Sequence, residues 1–228
     1  MSFVPTLDTD SPQRPRIPRS LDAAEIRILG SLMEKQLSTP EYYPLTLNAL
    51  VAACNQKSNR EPVMELSDSD VQRALERLQD EKFAWRVMGG RAVRFDHNLD
   101  KVWHLKAGEK AIMTLLFLRG PQTPGELRGR SDRLHRFETV AEVEDTLRDM
   151  AAHSEPLIRD LSRRPGQKET RWAHTAGGAI IEPDEPVRAN EPVAQPSGEP
   201  VSVRVSRLEA QVAELAQRLA ALMEKLGE

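Results

Sequence analysis

The stretch SDSDVQRALERLQDEKFAWRVMGGRAVRF, residues 67–95, decides the fold of this chain. Its first half repeats apolar side chains at Val71, Leu75 and Leu78, a spacing of four and three residues that is typical of a helix with one buried face. Its second half has two β-prone runs on either side of Gly89-Gly90. These runs predict a two-residue hairpin, because both turn positions need positive φ. A helix followed by such a hairpin is how a winged-helix domain ends.

Two further helices are predicted before this stretch. The segment SLDAAEIRILGSLMEKQL has an apolar stripe at helical spacing, and Ser20 or Asp22 can cap its first turn. The helix breaks at Pro40 and Pro44, and LTLNALVAACNQ forms a second short helix. Residues 21–100 are therefore predicted to form a winged-helix domain.

The same pattern recurs later in the chain. The segment GEKAIMTLLFLRGPQTPGEL parallels AEIRILGSLMEKQLSTPEYY with an offset of 84 residues, and EVEDTLRDMA parallels DVQRALERLQ with an offset of 72. The runs PLIRDL and KETRWAH then flank a turn at Pro165-Gly166, which predicts another hairpin. Internal repetition of this kind predicts a second winged-helix domain over residues 101–175.

Three segments differ from these domains in composition. Residues 1–20 are rich in proline and polar groups and are predicted to be a disordered tail. Residues 176–200 form a Pro-rich linker. Residues 201–228 alternate apolar spacings of four and three, which predicts a coiled-coil helix that dimerises the chain; the alternative is an amphipathic helix that folds back on the body. The predicted fold class is thus mainly α with small β-hairpins, in two tandem winged-helix domains plus this C-terminal helix.

Several function classes are disfavoured by what the sequence lacks. One cysteine excludes an internal disulfide and a multi-cysteine metal site, and the five histidines show no i, i+4 pairing. No Gly-rich phosphate loop and no marked pair of carboxylates appears, so we predict no catalytic residue, no cofactor and no metal. No run of about 18 apolar residues and no signal-peptide core is present, so we expect a cytoplasmic protein without a membrane span.

Long motifs in the chain resemble the YceH family of uncharacterised bacterial proteins. They are LMEKQLSTPEYYPLTLNALVAACNQKSNREPVMELSDSDV, LLFLRGPQTPGELRGRS and FETVAEVEDTL, and the most distinctive piece is ACNQKSNREPV, residues 53–63. The resemblance runs from about Leu21 to His174 and implies a tandem winged-helix fold. It implies no activity, so no catalytic residue is carried over from it.

The charge pattern opposes the usual use of a winged-helix third helix in the DNA major groove. Both third helices are rich in acids, whereas DNA affinity depends mainly on Lys and Arg that neutralise phosphates. Basic residues cluster instead in residues 101–175, which carry 14 basic and 11 acidic residues. The candidate phosphate-binding residues lie on the middle helix and the hairpin of the second domain: Arg128, Arg130, Arg133, Arg163, Arg164, Lys168 and Arg171. The alternative is that these cations pair with neighbouring acids.

A second candidate site is the polar run NQKSNREP. Its hydrogen-bonding residues are Asn55, Gln56, Lys57, Asn59 and Arg60. They could hold a phosphate, a nucleobase or a partner peptide. Alternatively, the asparagines cap the preceding helix and bond the loop to itself, and Arg60 pairs with Glu61 or Glu65.

Two hypotheses about function follow. In the first, the chain is a non-enzymatic DNA-binding or transcription-associated protein that contacts phosphates through its second hairpin. In the second, it is a protein–protein interaction module whose acidic third helices dock on a basic partner. Fold alone does not choose between them, because winged helices serve both purposes.

Overall fold

The computed structural model describes residues 15–89, 92–161 and 169–178, which form a mainly helical protein with two small antiparallel sheets. The predicted coiled coil lies outside these residues, as does most of the predicted linker. None of the described helices combines the length and apolar content needed to cross a bilayer. The helices are α1 (Ala23–Ser38), α2 (Leu47–Cys54), α3 (Asp68–Asp80), α4 (Leu99–Trp103), α5 (Ala107–Arg119), α6 (Pro124–Ser131) and α7 (Val140–Ala151). The strands are β1 (Leu45–Thr46), β2 (Ala84–Gly89), β3 (Ala92–His97), β4 (Ile158–Leu161) and β5 (Arg171–His174).

Short polar side chains fix where the helices begin. Helix α1 starts after Asp22, whose carboxylate accepts a hydrogen bond from the Glu25 N–H, and Glu25 bonds back to the Asp22 N–H. Ser67 does the same for α3 together with Asp70. These reciprocal bonds satisfy N–H groups that have no partner inside the helix. Of the two caps predicted for the first helix, the structure therefore uses Asp22, and the cap of α3 is Ser67.

The first half of the chain contains a three-stranded sheet in the order β1-β3-β2. Leu45 pairs with Phe95, and Ala84 pairs with His97. The hairpin register pairs Gly89 with Ala92, so Gly89 is the last residue of β2, and residues 90 and 91 lie outside the described residues. Gly89, predicted as the first turn residue, is therefore a strand residue in the structure, because cross-strand packing sets the register of a hairpin as well as turn chemistry.

The second half repeats the order of the first. Strands β4 and β5 pair from Ile158 with His174 to Leu161 with Arg171. Gln122 and Trp172 exchange two backbone hydrogen bonds of 3.0 and 2.8 Å, in the position that β1 occupies in the first half. Helices α1 and α5 begin 84 residues apart and α3 and α7 begin 72 residues apart, which are the predicted offsets.

The two halves share one apolar core. Its buried residues include Leu32 and Leu75 from the first half and Phe117 and Leu147 from the second. Helices α1 and α5 pack closely at Gly30, where an added Cβ would lie 2.9 Å from both Leu118 Cδ2 and Phe117 Cβ. A hydrogen at this position is therefore required for the observed approach of the helices.

Ordered packing extends beyond the predicted domain ends. The Arg16 guanidinium donates to the Trp103 carbonyl at 2.6 Å, and the Trp103 indole donates to the Arg16 carbonyl at 2.7 Å. The Leu21 N–H donates to the Ala176 carbonyl at 2.8 Å, and Ala176 is fully buried. The prediction of disorder is thus wrong for residues 15–20. The contacts of Arg16 are with Trp103 and Glu155, 87 and 139 positions away, and composition alone does not reveal them.

Substitution of Gly30 tests the helix crossing. We expect Gly30→Ala to lower the free energy of unfolding by about 1–3 kcal/mol, because the new methyl group overpacks the contact with Phe117 and Leu118. The matched control is Gly129→Ala in α6, where a Cβ meets nothing within 4 Å. That change should be neutral or stabilise by up to about 1 kcal/mol through helix propensity. Urea unfolding measures both, and equal stability of the two variants would contradict the crossing.

Candidate functional site

Most polar side chains of the predicted NQKSNREP site form hydrogen bonds with other residues of the same chain. The Asn55 side chain donates to the Leu66 carbonyl and accepts from the Leu66 N–H, both at 2.8 Å, and so closes the loop between α2 and α3. Asn59 adopts a positive φ of 60°, and its side-chain oxygen accepts a hydrogen bond from Arg119. The Glu61 N–H donates to the Leu118 carbonyl at 2.8 Å. The loop therefore connects α2 and α3 to α5.

Arg60 is the buried centre of this loop. Its guanidinium donates to the two Glu34 carboxylate oxygens at 3.0 and 2.5 Å and to the Gln56 side-chain oxygen at 2.9 Å. Its Nε donates to the Ala53 carbonyl at 3.1 Å. The predicted partners, Glu61 and Glu65, are wrong, because α1 brings Glu34 directly against the guanidinium. Lys57 alone of the five loop residues is exposed without a hydrogen bond to another described residue.

Loss of Arg60 should therefore affect folding. We expect Arg60→Ala to lower the free energy of unfolding by about 3–5 kcal/mol, because it removes the closest cation from the largely buried Glu34 and leaves that carboxylate only its 3.5 Å contact with Lys35. The matched control Lys57→Ala should change it by less than about 0.5 kcal/mol, since Lys57 is exposed. Both values come from urea unfolding. If Arg60→Ala were as stable as the wild type, Arg60 would have no structural role and the loop would again be a candidate binding site.

The basic residues of α3 are used inside the molecule. Arg77 donates to Asp22 and, at 2.9 Å, to Glu25, while Arg73 pairs with Asp70 at 2.5 Å. Burial alone would raise the pKa of Glu25, but hydrogen bonds from Arg19, the Asp22 N–H and Arg77 lower this pKa to about 2. Helix α3 therefore offers few free cations to a nucleic acid.

Helix α7 presents a surface of carboxylates, here named the α7 acidic face. It consists of Glu142, Glu144, Asp145 and Asp149, all exposed. Arg148 is the one basic residue of the helix, and it pairs with Asp145 at 2.7 Å. The face is thus strongly anionic, as the sequence predicted.

The predicted phosphate-binding arginines of α6 and β5 do not form one free cationic surface. Arg130 donates to the Gln122 side chain at 2.7 Å and pairs with Glu126 at 3.2 Å. Arg128 donates to the Glu138 carbonyl at 2.9 Å, and Arg171 donates to the Pro121 carbonyl. Arg133 is exposed and has no hydrogen bond or ion pair with any other described residue. The remaining predicted residues, Arg163, Arg164 and Lys168, lie outside the described part of the chain.

A cavity of about 330 Å³ lies between α7 and the β4–β5 hairpin. Trp172 of β5 and the half-exposed Val140 of α7 supply apolar surface. The carboxylates that line it are Glu144, Asp160 and Glu169. None of the three makes a side-chain hydrogen bond or ion pair with another described residue. The acids around Trp172 come from α7, β4 and the segment before β5, so no local sequence pattern marks them as a group.

A larger cavity, of about 940 Å³, is lined by residues of both charge signs. Arg16 and Lys106 face Glu109, Asp149 and Glu155 there. The Arg16 backbone N–H also donates to the Glu155 carboxylate at 2.7 Å, and Lys106 approaches Glu109 to 3.7 Å. Because charges of both signs line the cavity, its charge alone favours no class of ligand.

Two largely buried histidines lie at the ends of β3 and β5. The His97 Nδ1 accepts a hydrogen bond from the Leu99 N–H at 3.2 Å, so the proton of the neutral ring is on Nε2. The Nε2 N–H donates to the Gln36 side-chain oxygen at 2.8 Å. Burial, and next the charge of Lys110, lower the pKa of His97 to about 4. Burial against Phe117 lowers the pKa of His174 to about 4 as well. Both rings are therefore neutral at pH 7.

These histidines make stability depend on pH. The unfolded chain binds a proton at each ring near pH 6.5, whereas the folded chain binds it only near pH 4. The contribution of each histidine to the free energy of unfolding is therefore fully present above pH 6.5. It is lost as the pH drops from 6.5 towards 4, and the loss is up to about 3 kcal/mol for each histidine.

The variant His174→Leu should remove one of these contributions and flatten the fall between pH 6.5 and 4. The further loss below pH 4.5, which comes from protonation of Glu25, should remain. The exposed His153, changed to Gln, is the control and should leave the profile unchanged. Urea unfolding across this pH range gives the profiles, and identical slopes in wild type and His174→Leu would contradict the assignment.

Comparison with known proteins gives consistent matches over most of the chain. The family model described as "Protein of unknown function, DUF480" matches residues 21–167. A UPF0502 protein of Geobacter metallireducens is 48% identical over 198 residues, which cover 84% of this chain and 88% of that protein. The UPF0502 protein YceH of Salmonella choleraesuis is 43% identical over 215 residues, which cover 91% of this chain and 98% of that protein.

Proposed function

The chain belongs to the DUF480 family, as its resemblance to YceH predicted, and we propose that it is a non-enzymatic interaction module that binds a cationic protein partner through the α7 acidic face. The observation that carries this proposal is the exposure of four carboxylates on α7 together with the internal pairing of its single arginine. Complementary charge steers partners towards such a surface and excludes anionic ones.

The order of elements supports a winged-helix interpretation of both halves. Each half runs helix, short strand or bridge, helix, helix, and then hairpin. In the first half the short strand pairs with the second strand of the hairpin, and in the second half Gln122 pairs with Trp172 in the same way. In such units the exposed face of the third helix is the usual contact surface, and here α7 is the third helix of the second unit.

Charge argues against a nucleic acid at this surface. Carboxylates opposite phosphates repel, and DNA affinity requires free Lys and Arg. Arg77 and Arg73 of α3 are paired with acids of the same chain, and α7 has only Arg148. Neither third helix therefore has the free basic side chains that base reading and phosphate contact need.

DNA binding through the second hairpin is the second candidate function. Arg133 and Arg159 are exposed and make no hydrogen bond or ion pair with another described residue. The hairpin also carries Arg163, Arg164 and Lys168 in its sequence. Two or three such cations can lie along a phosphate backbone without any helix entering a groove.

One titration separates the two candidates. Fluorescence anisotropy is measured with a labelled oligolysine peptide and with a labelled random-sequence DNA duplex, over a range of salt concentrations. We expect the peptide to bind and the triple variant Glu144→Gln, Asp145→Asn, Asp149→Asn to weaken it about tenfold, since each exposed charge contributes up to about 1 kcal/mol. The duplex should not bind in preference to the peptide.

The control removes the same charge from the first half. The triple variant Glu41→Gln, Glu61→Gln, Glu65→Gln changes exposed acids outside α7. It should weaken binding of the oligolysine peptide less than about threefold. Equal weakening by both triple variants would reject the α7 acidic face as the site. Preferential duplex binding, with a salt slope that flattens by about two units in Arg163→Ala, Arg164→Ala, would establish the DNA function instead.

A further inference from the structure

Both hairpins carry a tryptophan directly opposite an aspartate. Trp85 of β2 pairs with Asp96 of β3, and Trp172 of β5 pairs with Asp160 of β4. Residues directly opposite each other on neighbouring strands bring their side chains to the same face of the sheet. Each hairpin therefore combines an aromatic ring and a carboxylate, the two groups that attract a cation most strongly.

In the first hairpin the chain supplies that cation itself. The Lys101 ammonium lies 5.1 Å from the centre of the Trp85 ring. Lys101 belongs to α4, which follows β3 immediately. A cation within about 6 Å of the ring face is stabilised by the negative potential of the ring. The molecule thus contains one example of a cation over a hairpin tryptophan, while the Asp96 carboxylate accepts a hydrogen bond from the Tyr43 hydroxyl.

In the second hairpin no described residue supplies an equivalent cation over Trp172. This tryptophan lines the cavity of about 330 Å³, together with the carboxylates of Asp160, Glu144 and Glu169, which pair with no other described residue. Arg148 also lines the cavity, but Asp145 holds its guanidinium at 2.7 Å. Among the described residues, the second site therefore has the ring and an excess of negative charge.

We infer that this cavity binds an arginine side chain of the partner, stacked on Trp172 and bonded to the carboxylates of Asp160, Glu144 and Glu169. The inference rests on the proposed function, because it supplies the specific anchor for a cationic partner on the α7 acidic face. The cavity lies at the lower end of the volumes of ligand pockets, which suits one long side chain.

Arginine fits this site better than lysine. A guanidinium is planar, stacks on an aromatic face and directs five N–H donors in its plane towards surrounding carboxylates. An ammonium is compact and strongly hydrated, and loses more hydration for each bond it forms. Three carboxylates around one ring match the fork of donors on arginine.

Nuclear magnetic resonance of the whole chain tests the site. The three tryptophans give three indole N–H signals, and Trp172→Phe identifies one of them. The probes are acetylated, amidated pentapeptides of glycine with arginine, lysine or citrulline at the centre; citrulline has nearly the shape of arginine without its charge. We expect the arginine peptide to shift the Trp172 signal saturably, with a dissociation constant at least about fivefold lower than that of the lysine peptide. The citrulline peptide should leave the signal unmoved.

Variants then assign the contact. Asp160→Asn should weaken the arginine peptide about fivefold or more, whereas Glu65→Gln, an equal charge change in the first half, should leave it unchanged. An unshifted amide spectrum elsewhere confirms that Asp160→Asn is folded. Equal shifts with arginine and citrulline, or equal effects of the two variants, would overturn the inference.

The oligolysine titration distinguishes the two ways of failing. If oligolysine depends on the α7 acids but the arginine peptide leaves the Trp172 signal unmoved, the arginine pocket is overturned and the proposed function stands. If neither probe binds, both are overturned.

Discussion

Helices α1 and α5 cross at Gly30, where only a hydrogen separates the backbone of α1 from Phe117 and Leu118. Interiors are packed at near-crystalline density, so a contact of this closeness has one arrangement rather than a range of them. It merges the apolar stripes of the two halves into one core that includes Leu32 and Leu147. Helix α3 packs on α1 and α7 packs on α5, so the same crossing determines the positions of both third helices.

The shared core also determines how the arginines are used. Arg27 and Arg60 are buried and donate to backbone carbonyls, including those of Cys54, Pro62 and Ala53. Burial of a guanidinium is costly unless its donors find acceptors, and the fold provides them in the last carbonyls of α2 and in the loop that follows. Many arginines of the described residues therefore serve the structure. Among the described residues, only Asp145 of the α7 acids forms an ion pair. The exposed surface of α7 is therefore more anionic than the number of acidic and basic residues in this half of the chain suggests.

Periodic features of this fold could be predicted from the sequence, and long-range pairings could not. The buried stripe of Val71, Leu75 and Leu78 and the offsets between the two halves follow from spacing alone, and the structure has them. The partner of Arg60 could not be predicted, because Glu34 lies 26 residues earlier and reaches it only after α1 packs beside the loop. The acids around Trp172 likewise come from α7, β4 and the segment before β5. Local patterns carry no information about which separate elements will meet.

The difference between the two hairpins arises from one inserted element. Helix α4 lies between β3 and α5 and brings Lys101 over Trp85, which occupies the cation position of the first hairpin. After β5 the described chain continues only to residue 178 and contains no helix of this kind. A duplicated unit would present two equivalent cation sites, and α4 removes one of them from contact with other molecules. The proposed contact with a cationic partner is therefore expected in the second half, where Glu144 belongs to the α7 acidic face and also lines the Trp172 cavity.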